Sequence, residues 1–354
     1  MFSNLPIEET HIYPDGVQDN PDYVEIGVEN TDTVAIQPAK MYVKRIVRHK
    51  FVLRSQLQIE DPDRQTFLIA PLPETIRPLY DKLRAQIMSS EYIQVDESTL
   101  PVIDNEKHRA VKGYMWAVRN ALTGDVYFHY DMGSRSGDTA RRLIGGYHGA
   151  VQTDGYEVYS SFEGTPGKIM IGCWAHVRRK FVEALDENKK YASEAIVYIS
   201  KLYKIEEEMK EVGLDAEAIK ERRQKESYPI IQDFEKWMNS VADYFTPKSR
   251  MGRALTYTYA LLPRLGRYVL DGRYNIDNNG IENAIRPLAL GRKNFLFAGN
   301  HDAAIRAAIV YSLFSCCKAA GINTRAWLED VLRRIPTEKN PEMLLPSQWT
   351  VTNR

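Results

Sequence analysis

Cysteine is scarce in this chain: Cys173, Cys316 and Cys317 are the only three in 354 residues. An odd, small number excludes a disulfide framework and fits a reducing, cytoplasmic compartment. Net charge is lacking as well, with 47 Lys and Arg against 47 Asp and Glu. No global positive field draws a polyanion, so any nucleic-acid contact must come from local clusters. No apolar run approaches the roughly 20 residues of a membrane span, which excludes a membrane partner of that kind. The start, Met1-Phe2-Ser3-Asn4-Leu5-Pro6, lacks the basic-then-apolar pattern of a signal peptide. Internal repeats and low-complexity segments are missing too. What remains is 44% apolar composition, enough for a large core or two domains and unlike a disordered chain.

Residues 1–74 are punctuated by Pro6, Pro14, Asp15-Gly16, Asn20-Pro21 and Pro38 and predict a small strand-rich region ending in a linker at Pro71-Leu72-Pro73-Glu74. Within it, Met41 to Arg54 alternates apolar and basic residues, as a half-exposed strand with a basic face would. Leu79, Leu83 and Ile87 give a helix over about 75–89 its buried stripe. Then Tyr92 to Thr99, Gly113 to Arg119 and Val126 to Tyr130 predict an antiparallel meander. A short helix from Asp138, as its cap, to Ile144 follows, then short strands at 150–153 and 169–172. This order predicts an α/β mixed sheet with helices packed on it, over 75–175. Residues 176–270 repeat apolar positions at helical spacing and predict a helical insertion. Residues 271–336 return to the sheet layer with two final helices, about 302–320 with Gly321 as C-cap and 325–335 capped by Thr324. An irregular tail occupies 337–354.

The first strand carries Asp96 toward its end, Asp154 ends the 150–153 strand, and Glu282 opens a helix. Open α/β sheets place ligands at such strand ends. Three carboxylates of this kind can hold two divalent ions over a phosphodiester. The residues alone leave alternatives open. An Asp at a strand end is commonly a turn residue. Asn279 to Glu282 has the spacing of a helix capping pair. Glu97 competes with Asp96, although alternation turns it to the other face.

The motif blocks are long: Gln94-Val95-Asp96-Glu97-Ser98-Thr99, Thr153-Asp154-Gly155-Tyr156-Glu157-Val158-Tyr159, Gly172-Cys173-Trp174-Ala175-His176-Val177-Arg178-Arg179-Lys180-Phe181, and Ile276 to Asn294 around Glu282. In these the chain, from about Thr75 to Trp349, resembles the IS66 family of insertion-sequence transposases. The resemblance implies an RNase H-like core and a DDE triad on Asp96, Asp154 and Glu282. It also implies two Mg2+ ions per active site, with Mn2+ as substitute, and cleavage followed by strand transfer at the ends of a bacterial mobile element. Implied partners are double-stranded element-end and target DNA, a homo-oligomer on that DNA, and accessory proteins of the same element. The compartment is then the bacterial cytoplasm, at the nucleoid when DNA is bound. Relatives in this family are longer, with a cysteine-rich zinc-binding region and a helical region before the core. The expectation is therefore a chain shortened in its N-terminal region. An RNase H-like nuclease without strand transfer, or a catalytically silent transposase-derived DNA-binding protein, are the competing readings.

Cys173 and His176 have C-x-x-H spacing, which is half of a tetrahedral zinc site or a local pair that packs and positions the helix start, with His176 near the carboxylate site as the alternative. Arg178, Arg179 and Lys180, and then Arg286, Arg292 and Lys293, are candidate phosphate contacts beside the carboxylates, or solvated faces. Asn278, Asn279 and Asn294 are candidates to bond DNA or to order the site. Phe295-Leu296-Phe297-Ala298-Gly299 is expected to be core or strand.

Overall fold

The computed structural model describes residues 6–14, 16, 17, 20–37, 40–53, 68, 69, 75–104 and 107–350, with the backbone alone at 33–37, 40–46, 48, 50–53, 68 and 69. It comprises two units, 1–77 and 78–354. In the first, β1 (Ile7–Ile12) runs parallel to β3 (Lys40–Leu53), and β2 (Tyr23–Gln37) and β4 (Leu68–Ile69) pair antiparallel with β3. A bulge between Glu25 and Gly27 interrupts β2. His49 bridges His11 and Glu25, each 2.8 Å away, and stacks on Tyr13. The expected linker at 71–74 and most of the basic side chains of 41–54 lie outside the described residues.

The second unit is built on a five-stranded sheet. After α1 (Arg77–Met88) come β5 (Tyr92–Asp104), β6 (Arg109–Asn120) and β7 (Val126–Tyr130), then α2 (Gly137–Ile144), β8 (Gly149–Gln152) and β9 (Lys168–Ile171). The strand order is β7-β6-β5-β8-β9. The first three are antiparallel, and β5, β8 and β9 are parallel. Alternation sends successive side chains to opposite faces. Tyr127 meets Tyr80 of α1 on one face. On the other, Phe128 packs on Tyr311 and its N–H donates to Ser312 Oγ at 2.7 Å. Both lie on the helix His301–Ala319.

In chain order a helical bundle separates the sheet strands from the final helices: α3 (Trp174–Ala184), α4 (Lys189–Val212), α5 (Ala216–Arg222), α6 (Tyr228–Val241) and α7 (Arg250–Leu265). Its core joins Trp174, Phe181, Ile199, Phe234 and Leu255 to Tyr92, Ala150 and Ile171 of the sheet. The charged stretch 213–228 is not simply solvated. Arg223 is 3% exposed, pairs with Glu206, and donates to the carbonyls of Tyr268, Asp271 and Tyr274. The chain closes with α8 (Asn279–Phe295), α9 (His301–Ala319) and α10 (Thr324–Arg334). In the tail Leu344 and Leu345 are buried, and the Trp327 indole donates to Leu344 O at 2.8 Å.

Several local expectations move by a residue or two. Ser136 Oγ, not Asp138, caps α2. Asn323, not Thr324, caps α10. Asn279 lies inside α8, its side-chain amide donating to Asp277 Oδ2, so the capping pair with Glu282 is not formed. Asp96 is not at a strand end, because β5 continues to Asp104. What ends near it is the partner strand, whose last register pair is Gln94 with Gln152. The 295–297 segment is not core. Phe295, Leu296 and Phe297 are exposed, and only Ala298 bridges to Val102.

The Gln94–Gln152 pair is fully buried and joins the sheet to the segment before α8. Gln94 Nε2 and the Tyr92 hydroxyl donate to Gln152 Oε1, while Gln152 Nε2 donates to Gly172 O at 3.1 Å and Asn275 O at 2.8 Å. Arg119 donates to Gln94 Oε1 at 2.9 Å. A Cβ on Gly280 would lie 2.7 Å from both Gln94 Oε1 and Arg119 Nη1, so the first turn of α8 sits directly on this network. Gln152→Leu removes the partner of several buried groups at once and should lower the unfolding free energy by about 3 kcal/mol in urea titration. A change near zero would show that the network is dispensable.

Candidate active site

Gln94-x-Asp96 on β5 and Gln152-x-Asp154 at the end of β8 are parallel repeats in register. Within β5 a period of two puts Asp96 on the face of Gln94, and Asp154 stands two residues past the end of β8, near enough for its charge to act on Asp96. Register pairs Asp96 with Ala117, which packs in the cluster of Ile281, Ile285 and Leu288 from α8. The first aspartate therefore faces the layer that carries Glu282. Burial, then the carboxylates of Asp154, Glu97 and Glu282, push the Asp96 carboxyl up to about 8, opposed by an N–H donated from Glu97 at 2.8 Å. The three acidic residues read from the sequence are thus brought within electrostatic range.

Each carboxylate has its own surroundings. Asp154 Oδ1 accepts the Tyr156 N–H at 2.9 Å. Beside it a Cβ on Gly155 would lie 2.4 Å from the Tyr257 ring of α7, so glycine is required for that approach. Glu282 has His176 Nε2 3.5 Å from Oε1 and an Arg179 nitrogen 3.6 Å from Oε2. Its buried Oε1 has no hydrogen-bond partner. Among the described residues, no three His, Cys, Asp or Glu side chains converge closely enough to hold one metal ion as they stand.

Glu97 turns to the opposite face, as alternation requires, and has its own cation. Arg135 Nε donates to Glu97 Oε1 at 2.7 Å, Arg135 Nη2 binds the same oxygen, and the Tyr159 hydroxyl donates to Oε2 at 2.8 Å. Arg135 lies over the rings of Tyr156, at 3.9 Å, and Tyr114, at 5.2 Å. Burial pushes the Glu97 carboxyl up, and the Arg135 and Tyr159 hydrogen bonds work against that rise. Glu97 is therefore the neighbour that braces β5. Sequence reasoning missed this network, as it missed the two glutamines; the repeated Gln-x-Asp was the available signal.

Cys173 is buried, its Sγ accepts the Asn278 N–H at 3.2 Å, and His176 Nδ1 lies 3.1 Å from that sulfur. Burial raises the thiol to about 12 and lowers His176. Arg178 and Arg179 are exposed on α3 and line a cleft of ≈ 590 Å³ with Lys204 and Asn279. Lys180 lines a second, of ≈ 660 Å³, with Arg250, Arg253 and Tyr257.

The remaining candidates separate. Asn278 is not presented to DNA. It is fully buried, and its amide lies 3.5 Å from Val95 O. Arg286 is exposed one turn beyond Glu282. Arg292 is committed to β5, donating to Ser98 Oγ at 3.0 Å and to Thr99. Lys293 and Asn294 are exposed at the far end of α8, about 16 Å from Glu282 by helical rise. Closeness in sequence is stretched out by the helix.

A mixed sheet flanked by helices, with acidic residues on adjacent strands and a facing helix, is consistent with the RNase H-like core of DDE transposases. The chain belongs to the IS66 transposase family, whose model matches residues 50–306. Two similar proteins come from Sinorhizobium fredii (strain NBRC 101917 / NGR234). Uncharacterized protein y4qI is 30% identical over 276 residues, covering 73% of this chain and 50% of its own length. Uncharacterized protein y4jD is 30% identical over 292 residues, covering 77% and 57%. The chain thus spans about half the length of the curated relatives it matches. No helix among the described residues is long and apolar enough to cross a membrane.

Removing Arg135 leaves the buried Glu97 carboxylate without its cation, held by the Tyr159 hydroxyl alone. Arg135→Ala should cost about 2 kcal/mol, discounted from a fully buried pair because Arg135 is partly exposed. Adding Glu97→Gln to that variant should recover most of the loss in urea titration. Simple additivity of the two losses would refute the pairing as the source.

Proposed function

We propose that this chain is the catalytic part of a DDE transposase that cleaves and joins DNA at the ends of an insertion sequence. The observation that carries the reading is the Asp96 carboxyl, pushed up to about 8 by burial and by Asp154, Glu97 and Glu282. Like charges are gathered around Asp96, which itself accepts only a backbone N–H, while Arg135 is spent on Glu97 and Arg179 stands 3.6 Å from Glu282. The donor set is hard oxygen, suited to Mg2+ or Mn2+, and the unpartnered Glu282 Oε1 is free to ligate. Asp96, Asp154 and Glu282 would hold two such ions, drawn together on binding. When bound, the ions activate the attacking oxygen and stabilise the leaving one.

The protein's own contribution is positioning and charge. β5 and β8 fix the two aspartates side by side, and the Gln94–Gln152 network seats the helix that brings Glu282 to them. Arg178, Arg179 and Lys180, in the clefts on either side of α3, take backbone phosphates. Arg286 and Asn279 extend that contact. In the first reaction water adds across a phosphodiester at the element end, leaving a 3′-hydroxyl and a 5′-phosphate. In the second, that hydroxyl attacks a target phosphodiester, forming a new one and releasing a target 3′-hydroxyl. Bringing two ends together calls for more than one copy of the chain on DNA, and for accessory proteins if this span alone does not select the ends.

The test uses labelled element-end DNA with Mg2+ or Mn2+, comparing the intact chain with Asp96→Asn, Asp154→Asn and Glu282→Gln. Expected is metal-dependent nicking followed by joining, reduced roughly 1000-fold in each variant. Nicking without joining would favour a nuclease, and binding without cleavage a silent DNA-binding protein. Separately, replacing Arg178, Arg179 and Lys180 by Ala should weaken binding of all DNA sequences alike and lower the salt slope by about one per residue that contacts phosphate. An unchanged slope would assign these bases to a solvated face.

A further inference from the structure

The carboxylates leave the Cys-x-x-His motif without a task. Its geometry supplies one. Cys173 is at the N-cap of α3 yet makes no side-chain cap bond to its own helix. Its sulfur serves α8 instead, accepting the N–H of Asn278, the residue at the start of that helix, at 3.2 Å. One residue on, the Trp174 N–H donates to Ile276 O at 3.2 Å. The start of α3 is therefore laced to the segment that leads into α8, once through the cysteine sulfur and once through backbone atoms.

Side chains continue the lacing toward the site. His176 sits between sulfur and carboxylate, with Nδ1 3.1 Å from Cys173 Sγ and Nε2 3.5 Å from Glu282 Oε1. With Nδ1 facing the sulfur, Nε2 is the nitrogen left to meet the carboxylate. At 3.5 Å that contact is electrostatic rather than a tight hydrogen bond, so Oε1 keeps its capacity to bind something else. Arg179, three residues on and on the same face of α3, stands 3.6 Å from the other oxygen.

We propose that Cys173 and His176 form a clamp that seats the Glu282 carboxylate against α3, in place of a zinc half-site. Zinc takes four ligands. Among the described residues no third His, Cys, Asp or Glu joins this pair in a metal-holding group. The other two cysteines are buried in α9, where Cys316 Sγ donates to Val126 O at 3.3 Å. His176 acts through Glu282 and is a positioning residue. It orients a ligating oxygen as outer-shell partners of metal ligands do. The role in metal binding rests on the function proposed above; the clamp itself does not.

The experiment uses the full chain with 15N-labelled histidine, its zinc content by mass spectrometry, and Mn2+ binding by calorimetry. The expected wild type carries no stoichiometric zinc, and its His176 ring 15N resonances shift in both Cys173→Ala and Glu282→Gln. His176→Ala should weaken Mn2+ binding roughly 10- to 100-fold while the thermal midpoint holds. His176→Gln, which keeps a donor within reach of the carboxylate, should restore most of it. One zinc per chain, lost in Cys173→Ala, would overturn the proposal. So would ring resonances blind to both substitutions, or Mn2+ affinity lowered by Glu282→Gln but untouched by His176→Ala. If Glu282→Gln leaves Mn2+ binding intact, the metal role of Glu282 falls, and the ring resonances alone decide the clamp. If His176→Ala does not fold, the ring shifts in Cys173→Ala and Glu282→Gln decide it in the same way.

Discussion

Two buried amides hold the five-stranded sheet in register. Gln94 and Gln152 lie side by side on parallel strands, and between them they satisfy a tyrosine hydroxyl, an arginine and three backbone carbonyls. Buried polar groups are costly unless paired. This pairing is also specific, since a one-residue slip of β8 against β5 would turn Gln152 to the wrong face. The same slip would separate Asp154 from Asp96, each two residues further on. The constraint that orders the polar network thus orders the acids, and stability and function share one register.

The acids themselves work against that stability. Four carboxylates act on one another around Asp96. Glu97 is relieved by Arg135 and Tyr159 on the far face. Asp96 has only a backbone N–H, and Glu282 stands within ion-pair range of His176 and Arg179, neither at close hydrogen-bond distance. The acid that braces the strand is neutralised, and those facing α8 are left short of positive charge. That asymmetry distinguishes a structural acid from ones kept available for a ligand.

The sheet was readable from the sequence because its strands alternate or run apolar over short lengths, and β7 matches Val126 to Tyr130 at both ends. Asp96, Asp154 and Glu282 were named from motifs, and the fold gathers them. What the sequence concealed were the consequences of helix geometry and burial. Arg292 and Lys293 follow Glu282 closely in the chain, but the rise of the helix carries them away from the acid, Arg292 to Ser98 and Thr99 of β5. Asn278 looks like a surface amide beside an Asn-Gly turn, yet it is fully buried. Helix caps shifted by one or two residues because Ser136 and Asn323 stand close to equally plausible capping residues, Asp138 and Thr324. No periodicity distinguishes a buried Arg223 from the exposed charges around it, since only its carbonyl and carboxylate partners, 17 to 51 residues away, identify it.

Those distant partners bear on what the helical insertion does. It separates Asp154 from Glu282 in sequence, yet it reaches the segment between them and the sheet at every step. Arg223 holds the carbonyls of Tyr268, Asp271 and Tyr274. Trp174 binds Ile276. The Tyr203 hydroxyl of α4 donates to Asp277 Oδ2 at 2.9 Å, and Asp277 in turn receives the N–H and side-chain amide of Asn279. The start of α8 is thus held between the glutamine network of the sheet and the helices of the insertion. A displacement of the bundle would move Glu282 relative to Asp96 and Asp154, which are fixed by strand register. Through the same helices the bases of α3 face the clefts on either side of it. The insertion also touches the site from its other side, through Tyr257 of α7 against Gly155 beside Asp154, so its placement bears on two of the three acids.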